Sequence, residues 1–400
     1  MTITQPTHLR HIITTGLAMF SMFFGAGNVV FPLLVGQVAG DQAWAAILGL
    51  LITAVGVPFI GLLAMVLYEG DYRAFFARIG RVPGFLVTLF IMILIGPFGA
   101  IPRCIALSYS TLKMYDASLS SVFFSLVSCI VLFFAAYKKS RMVDLLGAIL
   151  SPVLIFSLAV IIIKGILVHP LAPASGLEAL SMFTFGLKEG YNTMDLLGTF
   201  FFSGVIIAGL RSLAAQQTGA GRWALAVYAL QASVIGVVLL GLVYAGFAFV
   251  ASYYSSTLGV VAPEVILGTI AYTVLGRVGG IFVSLAVVLA CLTTALALVS
   301  VFAEFLHNQV SRGTICYRSS LLLTLLVTFV FSNLKFSEIV AMLGPVLDVL
   351  YPVLLVLTVV NILHKVWGFP FVKIPVVLTT AASIAWYHAP HVFTHFYLPL

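Results

Sequence analysis

Read as alternating apolar runs and polar breaks, the chain falls into eleven long hydrophobic stretches. They lie near 12–36, 43–68, 84–110, 119–137, 143–168, 192–210, 223–251, 278–306, 317–332, 338–363 and 370–388. Most are long enough to cross a hydrocarbon layer, which needs about 20 apolar residues per helix. Period-two alternation of apolar and polar residues is absent, which excludes a β-barrel. Two longer breaks, about 169–191 and 252–277, carry segments such as Pro263–Leu275 with the look of short interfacial helices. The pattern predicts an all-α polytopic membrane protein of about eleven spans, one transmembrane domain over 1–400 with no soluble domain attached.

Composition supports the same reading. Of 400 residues 62% are hydrophobic and 8% charged, and 19 basic with 12 acidic side chains cannot cover a water-facing surface of this size. The mean hydropathy of +1.19 points to lipid. Disorder, nucleic-acid binding and a secreted disulfide scaffold are excluded on these grounds. Arg10 precedes the first apolar run, which continues past signal-peptide length without an A-x-A site and is kept as a helix. Cys104, Cys129, Cys291 and Cys316 form no CxxC and read as free thiols, and no Asn-x-Ser/Thr sequon occurs.

The net charge of +7 bears on orientation. With the N-terminus inside, Arg10, Arg73, Arg78, Arg81, Lys138, Lys139, Arg141, Arg211, Arg222, Arg312, Arg318, Lys365 and Lys373 fall on the cytoplasmic side, 13 of the 19 basic residues. Arg103, Lys113, Lys164, Lys188, Arg277 and Lys335 are left for the other side. Because a miscount of spans would scramble this bias, a cytoplasmic N-terminus and an outside C-terminus are expected.

Two spans are poor helices at mid-membrane. The first carries Phe23-Phe24-Gly25-Ala26-Gly27-Asn28 followed by Phe31-Pro32, and the sixth carries Phe201-Phe202-Ser203-Gly204 about 180 residues later. Interior glycine costs about 1 kcal/mol relative to alanine. Small residues also serve close helix packing; the Asn, the Pro and the counterpart in the sixth span favour breaks. Entering from opposite sides, the two spans make the pattern of an inverted five-helix repeat, 12–168 and 192–363, with 370–388 additional. Exposed amides and carbonyls in a bilayer are tolerated only against a cavity or ligand. The N-terminal end of the second half-helix suits a carboxylate, and freed carbonyls suit an ammonium group or Na⁺, so a zwitterionic amino acid satisfies both.

Other candidates carry alternatives. Thr293 and Thr294 offer oxygens to a hard cation such as Na⁺, or bond back to the carbonyls of their own helix. In Gly96-Pro97-Phe98-Gly99-Ala100-Ile101-Pro102-Arg103 the prolines free the carbonyls of residues 93 and 98. Arg103 either meets a substrate carboxylate or outer gate, or snorkels to the headgroups. Asp348 within the tenth span serves a gate, proton coupling or a structural pair, and Asp195 in the first turn of the sixth span reads as a cap. Phe201 and Phe202 pack the bundle or line an apolar pocket. Neither zinc nor hydrolytic chemistry is expected from the eight histidines.

These motifs resemble a known family. Met22–Asn28 with Phe31-Pro32, Ile95-Gly96-Pro97 with Ala100–Arg103, Glu189–Asp195 and Leu289–Ala295 are similar, in order, to the bacterial branched-chain amino acid:cation symporters of the BrnQ type. The resemblance implies import of leucine, isoleucine and valine across a bacterial inner membrane, with Na⁺ or H⁺ as coupling ion and no other cofactor. It also implies a LeuT-type fold. Carried over, the carbonyls of Ser21, Phe24 and Ala290 with the hydroxyls of Thr293 and Thr294 would hold Na⁺. Gly25, the amides of Ala26 and Gly27, and Asn28 would meet substrate, together with Phe202, Ser203, Gly204, Pro102 and Arg103. Two departures stand out: the family usually has a twelfth span where this sequence ends, and Asp348 is not part of its pattern. The alternatives are the same fold carrying another apolar amino acid or a nucleobase, a passive facilitator, and, last, an intramembrane enzyme.

Overall fold

The computed structural model describes residues 6–137, 151–168, 176–215, 222–259 and 261–388. Among them the chain forms helices and no strands. The first part of the expected fifth span, with Lys138, Lys139 and Arg141, lies outside the described residues, as do the residues after His388.

The first span is two helices, α1 (Pro6–Phe23) and α2 (Ala26–Ala39). The second runs as α3 (Ala43–Leu51) and α4 (Val57–Leu67). Between them a π-helical turn over Ile52–Gly56 precedes Pro58, which has no N–H for the ladder. After the short α5 (Tyr72–Phe76), the third span divides into α6 (Arg81–Ile95) and α7 (Ala100–Lys113). The Ile93 carbonyl that Pro97 leaves without its usual donor accepts Phe98 N–H at 3.4 Å instead. Then come α8 (Ser121–Tyr137) and α9 (Ser151–Leu167).

The sixth span departs from the sequence expectation. It begins well before residue 192, as α10 (Ala179–Asn192), and continues as α11 (Asp195–Ala215). The chain breaks at Thr193–Met194, with Met194 at φ 64, whereas Phe201-Phe202-Ser203-Gly204 lies inside an unbroken helix. Gly204 is half-buried within α11 beside Gly70, and its helix runs on unbroken; the expected break at 201–204 is therefore corrected to 193–194. The segment expected to be interfacial over 169–191 is largely the first half of this span.

Next come α12 (Arg222–Leu258) and α13 (Ile266–Phe305). In α13 a kink at Gly276, with φ 69, separates the expected short helix from the eighth span. Only glycine reaches that dihedral without a steric penalty. The described chain closes with α14 (Tyr317–Phe331), α15 (Phe336–Trp367) and α16 (Lys373–His388). Among the described residues five stretches are long and apolar enough to cross a membrane by length and composition: Ala26–Leu67, Arg81–Lys113, Val227–Leu258, Pro263–Val310 and Phe336–Trp367.

Packing places the breaks together. Helix α1 packs on α11 and α2 on α10, so the two interrupted spans cross antiparallel. Around them stand α3 against α10, α4 against α11, α12 against both α1 and α2, and α7 against α13. Without a hydrophobic drive between helices in lipid, such contacts depend on close approach of small residues. On α10, Gly186 meets the Ala46 backbone of α3, and a Cβ there would come 2.8 Å from the Ala46 carbonyl carbon and 3.0 Å from Leu50 N. Thr53 fixes the same seam by donating to the Leu187 carbonyl at 2.9 Å. Gly186→Val is expected to cut the folded protein recovered in mild detergent several-fold, as overpacking of about 1–3 kcal/mol would. Recovery equal to the parent chain would show that α3 and α10 are not seated this closely.

Candidate functional site

At the first break the backbone leaves the helix at Gly25 (φ −115, ψ −159). Phe24 N–H still closes α1 onto the Phe20 carbonyl at 2.8 Å, but Gly25 N–H turns to the side chain, donating to Asn28 Oδ1 at 3.1 Å. Asn28 thus holds the break open with its oxygen, while its amide nitrogen crosses to the second break. There it donates to both carboxylate oxygens of Asp195 at 2.8 Å, and it also bonds the Tyr244 hydroxyl. Tyr244, on α12, donates to Asp195 Oδ2 at 2.7 Å. Asn28, Asp195 and Tyr244 are all buried. The two breaks are therefore tied by one carboxylate with neutral donors around it. Asp195 starts α11 as expected, but as the anchor of this network rather than as a simple cap.

The second break is secured separately. Met194 N–H donates to the Tyr191 carbonyl at 3.1 Å, and Leu196 N–H donates to the Tyr351 hydroxyl of α15, also at 3.1 Å. Thr193 Oγ1 donates to the Gly190 carbonyl at 2.8 Å. Helix α10 ends with the Asn192 carbonyl facing inward, where Arg103 of α7 donates from Nη1 at 2.9 Å. Arg103 does not snorkel: it is 3% exposed, and its guanidinium lies 5.4 Å from the Phe31 ring centroid and 5.9 Å from that of Phe336. Charged hydrogen bonding and ring contact hold it in the bundle.

The breaks border a cavity lined by Gly25, Ala26, Gly27 and Asn28, with Phe23, Ile95, Ala100, Arg103, Cys104, Met194, Asp195, Phe202, Thr294 and Leu298 among its walls. Phe23 and Phe202 meet edge to face at 5.4 Å on one side of it. The walls are mainly apolar, with polar groups at the helix ends, as ligand pockets usually are. Of the substrate candidates, Ser203, Gly204 and Pro102 do not line it. Ser203 bonds back to the Phe200 carbonyl at 3.1 Å, Gly204 packs on Gly70 in the turn before α5, and Pro102 is buried in the body of α7. Within α11, Phe202 turns to the cavity while Ser203 and Gly204 stand on other faces of the same continuous helix.

On the far side of α1, Thr294 of α13 donates to the Ser21 carbonyl at 3.3 Å, a bond that spans from one helix to the other. Ser21 Oγ is buried without a partner beside it. Thr293 instead bonds back to the Ala290 carbonyl of its own helix at 2.7 Å. The oxygens of Ser21 and Thr294 converge between α1 and α13, a donor set that suits a hard monovalent cation. Asp348 lies on α15 and pairs with Lys188 of α10 at 3.7 Å, both side chains partly exposed, so it stands outside the cavity.

Sequence comparison fits this geometry. The model of the family described as branched-chain amino acid transport protein matches residues 8–395. The chain belongs to that family. It is 29% identical over 372 residues to the branched-chain amino acid permease BraB of Bacillus subtilis, covering 90% of this chain and 81% of that one. To the branched-chain amino acid permease BrnQ of the same organism it is 28% identical over 377 residues, 91% and 84% of the two chains. Among solved structures, MhsT in complex with L-phenylalanine superposes with TM-score 0.62 at 14% identity, over 93% of this chain and 98% of that one. The inward-facing conformation of Mhp1 gives TM-score 0.58 at 11% identity, over 95% and 90%. The fold is the LeuT type. This family member is a multi-pass membrane transport protein, not an enzyme.

Asp195, Tyr244, Met194 and Cys104 line or brace the site without having been picked out as ligands. The Glu189–Asp195 motif carried the signal for Asp195; Tyr244 sits in an unbroken apolar run and had none.

Proposed function

We propose that this chain imports leucine, isoleucine and valine by symport with a cation, Na⁺ at the α1–α13 junction, through alternating access around the two breaks. The observation that carries the reading is the cavity itself: unwound backbone from two antiparallel spans, closed on one side by Phe23 and Phe202. The substrate carboxylate goes to the amino end of α2, which begins at Ala26 and Gly27 and whose helix dipole favours a negative charge. Arg103 stands at the same end and adds its charge. The aliphatic side chain faces Ile95, Phe202 and Leu298, a surface that accepts branched hydrocarbon and rewards it by about 0.8 kcal/mol per buried methylene. Na⁺ between the Ser21 carbonyl and Thr294 Oγ1 would clamp α1 against α13 and steady the break that receives substrate. The bacterial inner membrane, with the N-terminus in the cytoplasm, is the setting that the basic-residue bias supports.

Purified protein in liposomes should accumulate labelled leucine when an inward sodium gradient is imposed, and unlabelled isoleucine and valine should compete. No accumulation on either a sodium or a proton gradient would remove the symport reading. Equilibration without accumulation would make the protein a facilitator. Thr294→Ala is expected to raise the sodium concentration for half-maximal uptake about tenfold, the loss of one charged oxygen contact, with the amount of protein in the membrane unchanged. Sodium activation like that of the parent chain would remove Thr294 from the ion site.

A further inference from the structure

The Asn28–Asp195–Tyr244 network has a chemistry that substrate and sodium leave unused. Asp195 is 3% exposed and receives three hydrogen bonds, all from neutral groups: two from Asn28 Nδ2 and one from Tyr244. No lysine, arginine or histidine among the described residues makes an ion pair with it. The charged groups that face it are few. Arg103 on α7 acts at a distance, its Nη1 already committed to the Asn192 carbonyl, and from α12 and α15 come only the hydroxyls of Tyr244 and Tyr351. Helix α1, the turn between α3 and α4, and α4 present Met19 and Phe23, Ala54, and Pro58, none of which titrates.

A carboxylate at this depth needs a compensating positive charge. With no ion-pair partner at contact distance among the described residues, a proton bound by Asp195 itself supplies it. Thr193 stands beside the Asp195 carboxyl, and its hydrogen is directed at the Gly190 carbonyl at 2.8 Å. A hydroxyl can donate to a carboxylate and accept from a carboxylic acid, so Thr193 can serve Asp195 in either protonation state. Asp195 also borders two spaces, the cavity between the breaks and a second, smaller and more apolar one beside α1, α4 and α12.

We infer that Asp195 is a proton carrier of the transport cycle, taking up one proton when the cavity is open to one side and releasing it to the other. The balance is simple: the carboxylate and a proton from the aqueous phase give the acid, which donates to Thr193 Oγ1, and the reverse step returns the proton to the opposite phase. The neutral acid lets the network rearrange without carrying a bare charge through the bundle. This inference rests on the transport reading above and adds a second coupling ion to it.

The test uses the full chain in liposomes that report internal pH by an entrapped dye. Leucine uptake by the parent protein is expected to acidify the interior. In Asp195→Asn, which keeps the shape of the side chain and cannot lose or gain a proton, the number of protons entering per leucine taken up should fall at least tenfold. Tyr244→Phe removes a donor that favours the charged form, so the pH dependence of uptake should move to higher pH by about one pH unit. Proton entry with leucine in Asp195→Asn overturns the inference, and so does an Asp195→Asn protein that no longer binds leucine while remaining folded, because Asp195 would then be the ammonium's partner. A Tyr244→Phe profile that does not move also counts against it. Parent protein that accumulates leucine on sodium with no proton movement ends this inference and leaves the proposed function standing. Parent protein that takes up no leucine removes the reading beneath it.

Discussion

Gly27→Val is expected to reduce leucine uptake at least 100-fold while leaving the protein in the membrane. Gly27 is where the two interrupted spans touch: a Cβ there would come 3.1 Å from both Thr193 Cα and the Thr193 carbonyl oxygen, and would collide with the Arg103 guanidinium. Two of these neighbours are backbone and cannot rotate away. A poorly placed methyl in a packed interior costs about 1–3 kcal/mol, and valine adds two more carbons at a point where the chain is already pinned by Asn28 and Asp195. The strain is relieved only by moving α2 away from the second break, which displaces the amides of Ala26 and Gly27 from the cavity. Misplacement of a positioned group by about 1 Å can cost about 100-fold in a site that works by orientation. Uptake normalised to membrane-embedded protein is the measurement, and a variant within threefold of the parent would mean that the breaks do not meet. Gly25→Val probes the opposite wall, since a Cβ there would lie 2.9 Å from Thr294 Cγ2 and should disturb sodium dependence first.

The two breaks also show how far one sequence can be read. The first was legible because three local features coincide at residues 25–32: glycines that weaken the ladder, an Asn able to cap the exposed amide, and a Pro one turn later. Asn28 does cap Gly25, as such a residue should. The second break has no glycine. It turns on Met194 in the left-handed region, a conformation that a non-glycine residue holds only when tertiary contacts impose it. Those contacts come from Tyr351 and Asn28, distant in sequence, so the local signal at Phe202-Ser203-Gly204 won by default and pointed to an intact stretch of α11. Thr294 and Thr293 illustrate the same limit within one motif. They are adjacent and chemically identical, yet one crosses to Ser21 and the other folds back on Ala290, a choice fixed by which face of α13 meets α1.

Arg103→Met is expected to lower leucine uptake about 100-fold, and Arg103→Lys to recover only part of it. The guanidinium combines three contacts that no other side chain reproduces. It donates to the carbonyl that ends α10, it lies against the rings of Phe31 and Phe336, and it supplies positive charge near the otherwise anionic start of α11. Methionine fills the volume and leaves the Asn192 carbonyl without its donor in a buried place, a loss of about 1.5–3 kcal/mol for a charged hydrogen bond, or roughly 10- to 150-fold. Lysine restores charge but is a point donor on a flexible stem, and it cannot hold a planar face on the aromatic rings while reaching Asn192. The partition between variants identifies the cause. If charge alone mattered, lysine would restore uptake fully; if packing alone mattered, methionine would be harmless. A graded loss, methionine well below lysine and both below arginine, is what a group that joins α7 to the end of α10 should give. Because α7 packs against α13 and α10 crosses α2, that joint couples the wall carrying the sodium candidates to the half-helix that faces substrate. The Arg103→Met protein should therefore lose leucine uptake at every sodium concentration, whereas Thr294→Ala regains it when sodium is raised.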